Sequence, residues 1–75
     1  MSKKSELKRA ITESEEEIES LEKKRSRSQS ALLQAIIDDK KPNAMDVEYF
    51  KTYTSLIDVE RENLRKLKAE LESLS

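Results

Sequence analysis

The chain reads as an all-α antiparallel helical hairpin. Three observations predict it: heptad spacing appears twice, the two runs are separated by one break holding the only proline, and their charges pair when the runs lie antiparallel. In the first run the seam positions are Leu7, Ile11, Ser14, Ile18, Leu21, Arg25, Ser28, Leu32 and Ala35, alternating by four and three. This spacing predicts a helix over about 3–38, with Ser2 as its N-cap. The break is Asp39-Lys40-Lys41-Pro42-Asn43, where proline lacks the donor a helix needs and disfavours helix in the residue before it. It predicts a turn over about 39–43. The second run, Phe50, Tyr53, Ile57, Glu60, Leu64, Leu67, Leu71 and Leu74, predicts a helix over about 44–74. Asn43 is its N-cap, and Asp46 three residues on resembles a capping box. One hairpin domain, 1–75, accounts for the whole sequence.

A short turn forces the two helices antiparallel. If facing residues have numbers summing to about 85, Leu21 meets Leu64, Ile18 meets Leu67, and the charged seam residues Arg25 and Glu60 meet each other as a register lock. The flanks then set Glu22 near Arg61 and Glu15 near Lys68, with Glu17 near Glu70 as the one mismatch. Residues 1–9, with their basic patch Lys3, Lys4, Lys8 and Arg9, extend past the partner helix in this register. The rival arrangement, a parallel dimer of one long helix, stacks the acidic block 13–22 on its own copy and is disfavoured by charge.

Composition excludes several function classes. The 75 residues contain no Gly, His, Cys or Trp, which removes phosphate-cradling loops and the commonest general bases, nucleophiles and transition-metal ligands. The chain is therefore read as non-catalytic, with no cofactor, no metal and no small-molecule substrate. Fifteen basic against sixteen acidic side chains give a net charge of −1, which supplies no global attraction to nucleic acid or anionic membrane. No apolar run is long enough to span a bilayer, so the protein is expected to be cytoplasmic, without membrane insertion. The glutamates from Glu13 to Glu22 fan over several helix faces and offer no metal cluster. The segment Arg25-Ser26-Arg27-Ser28-Gln29-Ser30 looks like a short arginine-serine run; its small residues suit close helix approach or a soft spot in the first helix.

The functional clue is the width of the apolar stripe. Toward the open end the apolar residues keep to the seam, as in a solvated stalk. Near the turn, Leu33, Ile37, Met45, Val47, Tyr49, Leu56 and Val59 lie off the seam, and they are the candidate partner-binding residues. A natural chain this small, with neither disulfide nor metal, is expected to be completed by association. A homodimer forming a four-helix bundle or a complex with another protein meets that need. The function expected is protein-protein interaction, as an adaptor, scaffold or co-chaperone. The alternative is a regulator of a nucleic-acid machine.

Three families of helical hairpins are similar. Residues 32–74, with LLQAIIDDKKPN followed by VEYFKTYTSLIDVERENLRKLKAELESL, resemble the tip of the FliJ and YscO stalk proteins of flagellar and type III export, which implies engagement of an export ATPase. The whole length resembles the small YscE-type co-chaperones of type III secretion in hydrophobic spacing and a proline-containing turn, which implies pairing with a second chaperone. A fainter resemblance is to the coiled coil of Gre transcript-cleavage factors, carried by Asn43-Ala44 and Glu48-Tyr49. It implies insertion of an acidic tip, here Asp38, Asp39, Asp46 and Glu48, into RNA polymerase.

Overall fold

A computed structural model describes residues 2–74; the ends of the predicted domain, Met1 and Ser75, lie outside the described residues. It consists of two helices, α1 (Lys3–Ile37) and α2 (Ala44–Ser73), packed along their length as an antiparallel hairpin measuring 55 × 16 × 15 Å. Each helix is one residue shorter at its C-terminal end than the heptad pattern predicts, because Asp38 and Leu74 serve as C-caps. No helix is long and apolar enough to cross a membrane among the described residues.

Local chemistry sets the ends. At the start of α1 the Ser2 Oγ accepts from the Ser5 amide at 3.1 Å, and at the start of α2 the Asn43 Oδ1 accepts from the Met45 amide at 2.8 Å. Each satisfies a donor that the first helical turn leaves free. α1 ends in a Schellman motif. The Lys40 amide donates to the Ala35 carbonyl (2.8 Å) and the Asp39 amide to the Ile36 carbonyl (3.1 Å), while Asp39 adopts a left-handed φ of 55°. With no glycine in the chain, an aspartate takes that position. Pro42 follows and prevents α1 from resuming.

The seam is the core. Leu7, Ile18, Leu21 and Ile57 are buried, with Ile57 at 0% exposure, and the two small seam residues Ser14 and Ser28 are buried with them. Ile11, Arg25, Leu32, Ala35, Phe50, Tyr53, Glu60, Leu64, Leu67 and Leu71 are half-buried, so the heptad positions form one continuous contact stripe.

The register differs from the expected one. Polar contacts between the helices include Lys3 with Glu70 at 3.0 Å, Ser14 with Glu60 at 2.7 Å, Glu22 with Arg61 at 3.8 Å and Glu15 with Lys68 at 4.0 Å. Their residue numbers sum to 73, 74, 83 and 83, centring on about 78, roughly one heptad below 85. Leu21 therefore lies level with Ile57, and Ile18 with Glu60. Arg25 and Glu60 do not pair: Glu60 accepts from the Ser14 hydroxyl and the Asn63 amide, and Arg25 has no ion pair among the described residues. The expected register lock is thus replaced by a serine-glutamate hydrogen bond. Its physical reason is that small Ser14 gives room for the Glu60 carboxylate to stay hydrogen-bonded at the seam, avoiding the desolvation cost of a buried ion pair. Of the segment 1–9 expected to overhang, Met1 lies outside the described residues and residues 3–9 do not overhang, since Leu7 is buried and Lys3 reaches Glu70. The overhang lies at the other end, where residues 35–37 of α1 extend past the first residue of α2.

Candidate interaction surface

The hairpin has two flanks, and the seam numbering assigns every off-seam residue to one of them. In antiparallel helices the residue after a seam position lies on the same side of the pair in both chains, and the residue before it on the other. The ion pairs obey this rule. Glu22, Arg61, Glu15 and Lys68 all follow seam residues, whereas Lys3 and Glu70 both precede them by the same spacing.

The exposed apolar residues divide in the same way. Met45, Tyr49, Leu56 and Val59 each precede a seam position of α2, and with exposed Thr52 they form a second stripe spaced four, three, four, three. Leu33 follows a seam residue and Ile37 lies beyond it, so these two occupy the opposite flank and back of α1. Val47 lies on the Leu33 side and is half-buried rather than exposed. The seven residues singled out from sequence therefore occupy two surfaces instead of one face.

One large apolar residue escaped the sequence reading. Ile36 is 66% exposed, beside Ile37 at 75%. Its signal is that it directly follows the last seam residue of α1, Ala35, in a turn with no α2 residue level with it. Leu74, expected in the seam, is half-exposed at the open end.

The second stripe of α2 borders a shallow groove between the helices. Lys24, Arg27 and Ser28 from α1 line it with Asp46, Tyr49 and Tyr53 from α2. Tyr49 and Tyr53 stack one turn apart, with ring centroids 6.2 Å apart and planes inclined by 25°. Lys24 and Arg27 are exposed and make no ion pair among the described residues, in contrast to neighbouring Lys23, which pairs with Glu19 at 3.4 Å. Away from this groove some charges of the stalk are paired along one helix, Lys23 with Glu19 and Arg65 with Glu62. Arg65 donates to both Glu62 oxygens at 2.6 and 3.0 Å; this hydrogen bonding holds the Glu62 carboxyl below the usual carboxylate range and raises the Arg65 guanidinium.

Among the described residues no group of three or more His, Cys, Asp or Glu is placed to hold a metal. At the turn, Asp38, Asp39, Lys40 and Lys41 are all exposed, two acids followed directly by two bases. Comparison with known proteins finds no family model, no curated protein and no solved structure that matches this chain.

Proposed function

We propose that this protein is a non-catalytic interaction module, an adaptor, scaffold or co-chaperone that binds another protein through the apolar surface near its turn. The carrying observation is a lengthwise asymmetry. Of the large apolar side chains exposed among the described residues, Leu33, Ile36, Ile37, Met45, Tyr49 and Leu56 belong to the turn-proximal half, Val59 lies at the middle, and Leu74 alone lies at the open end. Leaving such a cluster wet is unfavourable, and clusters of this kind mark association surfaces. The other half, bounded by charges at every off-seam position from Leu64 to Leu71 except Ala69, works as spacer. At the tip Lys40 and Lys41 offset two of the four acids Asp38, Asp39, Asp46 and Glu48, which weakens the acid-tip polymerase reading.

The test replaces Leu33 and Ile37 together with serine. Both side chains are exposed, so helicity by circular dichroism should be unchanged, while partner capture or self-association measured by light scattering should weaken. Unchanged association of the double variant in both assays, together with unchanged association after replacing Tyr49 and Val59, would remove this reading.

A further inference from the structure

We infer that the groove beside α2 receives a third helix, supplied by a partner protein, whose apolar stripe covers Met45, Tyr49, Leu56 and Val59 and whose edge facing α1 is acidic. This rests on the interaction-module reading and names the chemistry of the partner. The first support is shape. Four exposed apolar residues at heptad spacing make a seam like the one already used inside the hairpin, about 21 Å long, which is the length of a four-turn helix contact.

The second support is charge, and it coincides in height with the first. In the observed register, residues 45–59 of α2 lie level with about 33–19 of α1. Over that span the α1 residues bordering the groove are Ala31, Arg27, Lys24 and Ser20, whose only charges are positive. Among the described residues Lys24 and Arg27 have no ion-pair partner, nor have Lys8, Arg25 and Lys66, whereas Lys23, Arg61, Arg65 and Lys68 do. Asp46 also lines the groove without pairing with either, so its charged lining is two bases and one acid. Just below, the same border becomes Glu17 and Glu13, and there the apolar stripe of α2 gives way to Asn63 and Lys66. The two basic residues of the border, Lys24 and Arg27, therefore lie level with about residues 54 and 51, midway along the apolar stripe. A second copy of this chain fits poorly. Two α2 stripes packed antiparallel about Thr52 set residue 26 of α1 level with its own copy, bringing the basic run 23–27 against itself.

The experiment uses the intact chain and two 18-residue amphipathic peptides with leucine at heptad seam positions. One carries glutamate on its edges and the other lysine. Binding is followed by the tyrosine resonances of Tyr49 and Tyr53 and by sedimentation. The glutamate-edged peptide should bind about ten-fold more tightly at low salt, and the preference should invert in the Lys24→Glu, Arg27→Glu variant. Both peptides should lose binding to the Leu56→Ser, Val59→Ser variant, whose helicity is checked separately. Equal binding of the two peptides, binding of neither, or a homodimer that dissociates in the Leu56→Ser, Val59→Ser variant would overturn the inference. The interaction-module reading survives any of these if the Leu33 and Ile37 variant still loses its partner.

Discussion

Asp39 shows how a chain without glycine closes a Schellman turn. Its left-handed backbone, φ 55°, is one that aspartate tolerates but glycine adopts without steric cost. Asp39→Gly should therefore stabilise the hairpin by about 0.5–1 kcal/mol, read as a higher urea midpoint with unchanged slope; an unchanged or lower midpoint would show that the turn is not strained. Asn43→Ala removes the acceptor for the Met45 amide and should cost about 1 kcal/mol in the same assay. Glu62 supplies a pH-dependent case. Its folded carboxyl is held low by Arg65, so its small contribution is present above the unfolded carboxylate range and fades as pH falls through the depressed value. Because the pair is exposed, the sharper readout is site-specific: carboxyl NMR should show Glu62 titrating below its exposed neighbours and returning to them in Arg65→Gln. No such return would mean that the bidentate pair does not persist in solution.

At the scale of elements, both helices, their N-caps and nearly every seam residue were legible in the sequence, because heptad spacing and a lone proline are strong local signals. The register was not. A slide that changes the sum of facing residue numbers by seven returns seam positions to seam positions, so the apolar pattern is equally satisfied before and after it. Only the polar residues discriminate. Matching Arg25 to Glu60 by sign pointed to the wrong step, since a small neighbour able to donate a hydrogen bond, Ser14, suits the Glu60 carboxylate at the seam. Two cysteine pairs decide between the steps in a chain that has no cysteine of its own. Leu21→Cys with Ile57→Cys should form an intramolecular disulfide under mild oxidation, whereas Leu21→Cys with Leu64→Cys should not; the reverse result would restore the register summing to 85. The division of the candidate surface into two flanks depends on handedness as well as spacing, and so became visible only once the helices were placed side by side.

For the molecule as a whole, burial is concentrated midway along a rod 55 Å long, where Ile18 and Leu21 are buried level with Ile57, the most deeply covered side chain. Hydrogen exchange should be slowest for the amides around these three residues and fast at the end of α1, around Ile36 and Ile37, whose side chains are exposed. Uniform protection along α1 would instead indicate that association covers the tip. Ile57→Ala should cost about 2–4 kcal/mol, enough to reduce helicity of the entire hairpin, since each helix depends on the other for its apolar contacts.

The antiparallel seam also separates the two exposed apolar surfaces. Leu33 and Ile37 point away from the stripe of Met45, Tyr49, Leu56 and Val59, with α1 and α2 themselves standing between them. A body docked on one side neither shades nor competes with a body docked on the other. At 16 × 15 Å in cross-section, the hairpin is thin enough to bring two such bodies within one helix-pair thickness of each other. Geometry of this kind suits a bivalent clasp, in which filling one side raises the local concentration of whatever the other side holds without altering its intrinsic affinity.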